Sequence, residues 1–118
     1  INVSPSYFFA LFKRQTGYAP IDFLIHLRMR RACGLLQRTD LSVKEIADAL
    51  GYDDAFYFSR LFKSVTSMAP TDFRMLPAHA RENIADEVLP EGLLDVAVPA
   101  RDRGAPLALG GKPAIRRA

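Results

Sequence analysis

The chain has 118 residues, of which 49% are hydrophobic and 25% charged, a composition that suits one small globular domain and leaves no room for a second. A single cysteine, Cys33, excludes an intramolecular disulfide and a multi-cysteine zinc site, and it points to a reducing compartment. No apolar run reaches the roughly 18 residues of a membrane span, and a net charge of +3 is too mild to separate a nucleic-acid binder from a neutral domain. A soluble chain with no membrane partner is expected. It opens on Ile1 rather than Met, with no basic stretch leading into an apolar one, and so reads as a fragment without a targeting segment.

Ser4 and Pro5 open the first predicted helix, whose apolar face is Tyr7, Phe8, Leu11 and Phe12. Residues 21–38 form a continuous helical pattern, about 27 Å long at 1.5 Å per residue. Ile21, Leu24, Ile25, Leu27, Met29, Ala32, Leu35 and Leu36 share one broad arc of it. Arg28 falls in the middle of that arc, where a guanidinium requires a carboxylate or carbonyl partner. Arg30 points away as a solvated residue, and Arg31 sits at the edge. Ser42 followed by Glu45 is a capping box, opening a helix over 43–50 with Val43, Ile46, Ala47 and Leu50 at helical spacing. Gly51 ends it, and Asp54 caps a further helix over 55–64. Tyr57, Phe58, Leu61 and Phe62 make the apolar face of that helix, leaving Ala55, Phe56, Ser59, Arg60 and Lys63 on the other side. Ala47, small and four residues before Gly51, lets the two helices cross closely, as a helix-turn-helix requires. Thr71 opens a final helix.

Composition changes near Pro77. All twelve aromatic residues lie between Tyr7 and Phe73, and all the net positive charge lies before residue 75. The segment after it holds five of the eight prolines and four of the seven glycines, which predicts a mostly disordered tail over 77–118. Ile84, Val88 and Leu89 allow a short helix over 79–89 within it.

An offset of fifty residues pairs 1–23 with 51–73, with ten identities in 23 pairs, including Tyr7 with Tyr57, Phe8 with Phe58, Phe12 with Phe62, Pro20 with Pro70 and Phe23 with Phe73. Two similar subdomains are implied, the first lacking its preceding helix. A rod as long as the linking helix separates their outer helices by a distance comparable to one turn of B-DNA, roughly 34 to 36 Å.

The run from Gly51-Tyr52 through Tyr57-Phe58-Ser59-Arg60-Leu61-Phe62-Lys63 to Ala69-Pro70-Thr71-Asp72-Phe73-Arg74 resembles the signature of the AraC/XylS family of bacterial transcription regulators. So does Leu27-Arg28-Met29-Arg30-Arg31-Ala32 with Leu35-Leu36. The resemblance implies an all-α fold, two homeodomain-like helix-turn-helix subdomains joined by a long linking helix. The domain then spans 1–76, with a partial first helix-turn-helix at 1–18, the linking helix at 20–38 and the second helix-turn-helix with its final helix at 42–75. It implies, too, that two leading helices and an effector or dimerisation domain lie outside this sequence. The expected function is sequence-specific binding of double-stranded promoter DNA by an activator-type regulator, cytoplasmic and nucleoid-associated, with RNA polymerase as a further partner.

Base contacts are expected from Ala55, Phe56, Ser59 and Arg60 on the second recognition helix and from Ser6, Phe9 and Ala10 on the first. Phosphate contacts are expected from Lys13, Arg14, Arg31, Ser42, Lys63 and Thr71. Where relatives often place a polar residue followed by Arg before Leu-Phe-Lys, this chain has Phe9-Ala10, so weaker base reading by the first copy is expected. A competing reading is a truncated interaction module that contacts protein and binds DNA through charge alone. Cys33, His26 and His79 form no ligand constellation, and neither a nucleophile with its base, a carboxylate pair nor a glycine-rich phosphate loop appears. No enzyme, no metal and no cofactor are expected.

Overall fold

The computed structural model describes residues 4–93. Six helices follow one another among them without a strand: α1 (Pro5–Thr16), α2 (Pro20–Arg38), α3 (Val43–Ala49), α4 (Ala55–Thr66), α5 (Pro70–Arg74) and α6 (Ala78–Val88). A further helical turn begins at 91–93. The expected all-α architecture is present, with two outer helices, α1 and α4, joined through α2.

Local chemistry accounts for the boundaries. The Ser4 hydroxyl accepts from the Tyr7 amide at 3.1 Å and Pro5 takes the first turn of α1. The Ser42–Glu45 capping box is complete, with the Glu45 amide donating to the Ser42 hydroxyl and the Ser42 amide donating to Glu45 Oε1. Asp54 Oδ1 accepts from the Phe56 amide at the start of α4. Gly51 adopts φ 95°, the left-handed turn predicted between α3 and α4.

The fifty-residue repeat reappears as repeated geometry. Thr16 donates to the Phe12 carbonyl at 2.9 Å and accepts from the Tyr18 amide at 3.1 Å. Thr66 does the same with Phe62 at 2.8 Å and Met68 at 3.4 Å. Edge-on ring pairs follow in both copies, Phe12 with Phe23 at 5.4 Å and Phe62 with Phe73 at 5.6 Å. Each copy thus closes its outer helix onto the helix opened by Ala-Pro.

The core lies where α2, α3, α4, α5 and α6 meet. Met29, Ala32, Cys33, Leu36, Ile46, Phe58, Phe62 and Phe73 are buried there. Of the arc predicted for α2, Leu27, Met29, Ala32 and Leu36 are buried, while Leu24, Ile25 and Leu35 are half-buried. Ile21 is exposed, although Phe23 in the same turn of α2 is buried.

Three expectations are corrected. The helix in the proline-rich segment is an integral part of the core: α6 packs along α2, and Ala85, Val88 and Leu89 are buried. The break in composition at Pro77 is therefore not a break in packing; the rest of the predicted disordered tail, residues 94–118, lies outside the described residues. Arg30 is not solvated. Its Nη1 reaches the carbonyls of Ala85 and Leu89, with Asp86 at 3.2 Å and Glu91 at 3.5 Å. Arg28 is buried as its place in the arc predicts, but what it faces is aromatic. Its guanidinium carbon stands 5.5 Å from the centroid of the Tyr52 ring, and its Nε and Nη1 have no hydrogen-bond partner. The turn at Gly51 brings Tyr52 back onto α2, and the Tyr52 amide donates to the Ala47 carbonyl at 2.8 Å.

Candidate nucleic-acid interface

The outward side of α4 follows from how its inward side is held. Phe58 and Phe62, one helical turn apart, are fully buried, with Tyr57, Leu61 and Val65 half-buried beside them. Turning the helix half a revolution brings Phe56, Arg60 and Lys63 to the surface. Phe56 is 80% exposed, and Arg60 and Lys63 are exposed as well. Ala55 and Ser59, at the margin of this face, are half-buried. Burying an aromatic ring is worth several kcal/mol, so a large ring left in water next to a guanidinium marks a surface that packing does not require.

The first copy is arranged differently. Ser6, Phe9 and Ala10 are exposed, as predicted, and so are Lys13 and Arg14. Tyr7 and Phe8, however, are also exposed, and no residue of α1 is buried. In α4 the matching residues rest on α3, and no helix in the described residues stands in that place against α1. Exposure therefore singles out a face of α4 but not of α1.

The phosphate candidates separate in the same way. Lys13 and Arg14 lie in the last turn of α1 and Lys63 in the last turn of α4. All three have accessible ammonium or guanidinium groups, suited to a backbone oxygen. Arg31 is half-buried, engaged within the fold, and desolvation lowers its pKa. The Ser42 hydroxyl already accepts the Glu45 amide. Thr71 is exposed in the first turn of α5, a helix with no side-chain cap and with Asp72 beside it.

Other chemistry is sparse. Among the described residues no group of three or more His, Cys, Asp or Glu could hold a metal ion, and no helix is long and apolar enough to cross a membrane. Burial pushes the Cys33 thiol up to about 12, an effect the nearby Arg30 charge offsets only in part, so the thiol is neutral and unreactive near neutrality. His26 Nδ1 donates to the Asp22 carbonyl, 2.9 Å away, and its ring lies tilted against Tyr18 with centroids 4.9 Å apart. Sequence reasoning missed Arg30, Arg74 and Arg81 as half-buried connectors and Tyr52 as the partner of Arg28. These are long-range contacts, and no local spacing signals them.

Comparison with known proteins places this arrangement. A helix-turn-helix domain family model matches residues 1–75. The MmsAB operon regulatory protein of Pseudomonas aeruginosa is 42% identical over 73 residues, covering 62% of this chain and 24% of that protein. The arabinose operon regulatory protein of Escherichia coli is 35% identical over 74 residues, 63% of this chain and 25% of that protein. The HTH-type transcriptional activator RhaR of Mannheimia succiniciproducens is 42% identical over 64 residues, 54% of this chain and 23% of that protein. The chain spans about a quarter of the length of these curated relatives, and no solved structure matches it. Two similar subdomains around a linking helix and a family match over most of its length agree: the chain belongs to the AraC/XylS family of helix-turn-helix transcription regulators, which are not enzymes.

Proposed function

We propose that this chain is the part of a transcription regulator that binds double-stranded promoter DNA, with α4 as the helix that reads bases. The observation behind this reading is the two-sidedness of α4: Phe58 and Phe62 are fully buried, their rings against Tyr52 and Phe73, while Phe56 and Arg60 stand in water opposite them. Arg60 suits the two acceptors of a guanine edge, and Phe56 suits a thymine methyl. Ser59 and Ala55 border the same contact and set how closely the helix approaches. Lys63, Lys13 and Arg14 supply phosphate contacts at the ends of the two outer helices. Thr71 and Ser42 add weaker ones through exposed helix starts, and Arg31 contributes only by giving up its present contacts.

The first outer helix offers Ser6, Phe9 and Ala10. Phe9 and Ala10 have no hydrogen-bonding side-chain group, so the half of the site facing α1 is degenerate or limited to a thymine-rich preference. The relatives' names favour a role in operon regulation and, for RhaR, in activation. An effector or dimerisation domain outside this sequence and contact with RNA polymerase belong to the same reading, as does a cytoplasmic location.

Selection from randomised duplexes tests it. One strongly specified half-site is expected, with Arg60→Ala costing about 1 to 3 kcal/mol on the preferred sequence and relaxing the base choice there. Lys63→Ala should weaken all sequences alike and lower the salt slope by about 1. Binding without base preference, or unaltered preference in Arg60→Ala, would replace this reading with the interaction module.

A further inference from the structure

Three arginines connect three helices, each at the end of another. Arg74 of α5 donates from Nε to the Leu36 carbonyl and from Nη2 to the Thr39 carbonyl, both at 3.1 Å, at the C-terminal end of α2. Arg81 of α6 donates from Nη1 to the Arg74 carbonyl at 3.3 Å, the last residue of α5. Arg30 of α2 donates from Nη1 to the carbonyls of Ala85 and Leu89, at the C-terminal end of α6. The series closes on itself: α2 caps α6, α6 caps α5, and α5 caps α2.

There is a local reason for this arrangement. A helix end leaves carbonyls without partners, and a left-handed residue just past the end commonly satisfies them. Helices α1 and α4 have one, Gly17 at φ 84° and Ser67 at φ 72°. Helices α2, α5 and α6 end on Thr39, Met75 and Leu89, none of which is left-handed. The helices whose ends have no left-handed residue are the three that receive a guanidinium from elsewhere, where its positive charge also complements the negative end of the helix dipole.

We propose that this ring makes α2, α5 and α6 one cooperative unit, and that α6, which lies beyond the stretch matched by the family model, is the latch that closes it. Opening the latch loosens the C-terminal end of the linking helix, from which α3 and α4 continue. Most of the hold is the carbonyl capping. Asp86 and Glu91 beside Arg30 are 60% and 65% exposed, so their attraction is screened.

Amide hydrogen exchange on the 118-residue chain tests the ring without reference to DNA. Arg81→Gln removes only the bond to α5, yet the amides of Thr39 and Leu89, which close the last turns of α2 and α6, should exchange roughly tenfold faster. The locally capped amides of Gly17 and Ser67 should stay unchanged. Acceleration confined to Met75 and Leu76, or spread equally to Gly17 and Ser67, overturns the ring. Should Arg81→Gln unfold the chain, the exposed pair Asp86→Asn with Glu91→Gln provides a milder comparison with Arg30→Lys. Carbonyl capping expects Arg30→Lys, which can reach fewer carbonyls, to accelerate Leu89 and Thr39 more than the carboxylate pair does; the reverse order overturns it.

Discussion

Phe8 and Phe58 are the same side chain at the same place in two copies of one motif, and one is 45% exposed while the other is fully buried. Their helices have side-chain caps at the same end, a threonine bonded in the same way near the other, and the same edge-on phenylalanine pair leading into the next helix. What differs is the neighbour. α4 has α3 against it, brought there by the Gly51 turn, whereas α1 touches mainly α2. The repeated residues therefore determine a helix and its ends but not its burial, which belongs to whatever packs on it. An outer helix whose inward face is still wet is also free to settle at a different angle, so the covered copy is the better candidate for a precise base contact.

The largest expected break in this comparison comes from truncating the paired rings. Phe58→Ala should destabilise the domain by about 3 to 5 kcal/mol, the usual loss for a buried phenylalanine. Phe8→Ala should cost less than about 1.5 kcal/mol because water already reaches its ring. Urea titration of both variants would decide it, and equal losses would show that α1 is covered in solution.

The next concerns Arg28, which links the second copy to α2 through Tyr52. A buried guanidinium facing a ring, rather than a carboxylate, leaves polar atoms to be desolvated without full compensation. Arg28→Met should then be neutral or stabilising by up to about 2 kcal/mol, since it keeps the volume and removes the charge. Arg28→Ala should be destabilising by about 1 to 3 kcal/mol through the cavity it leaves. A loss of several kcal/mol in the methionine variant, read from its melting temperature, would point instead to an ion-paired Arg28.

The smallest effect lies at the matching helix ends. Gly17 and Ser67 occupy equivalent left-handed positions, and a Cβ added to Gly17 would meet nothing within 4 Å, so backbone strain alone separates them. Ser67→Gly should stabilise by about 0.5 to 1 kcal/mol, and Gly17→Ser should destabilise by a similar amount. A calorimetric scan showing the opposite signs would mean that Ser67 gains from a contact its conformation does not reveal.

Much of the candidate interface is legible in residue spacing alone. The sidedness of α4 follows from Tyr57, Phe58, Leu61 and Phe62 recurring at helical spacing, which leaves Phe56, Arg60 and Lys63 outward. The same reasoning applied to α1 predicts a buried face that the described residues do not cover. It misreads Arg30 as well, because a helical wheel shows which way a side chain points but not which element will lie there.

By itself the amino-acid sequence determined what depends on neighbours within a few residues: helix starts at Ser4, Ser42 and Asp54, the turn at Gly51, the repeat, and the polar face of α4. Caps and periodicity act over one or two turns, so they can be read from spacing alone. Only the tertiary structure decided that α6 joins the core in spite of its proline-rich surroundings, that Arg28 meets Tyr52, and that Arg30, Arg74 and Arg81 cap helices other than their own. These contacts join residues seven to 59 positions apart, and their energy exists only once packing has brought the partners together.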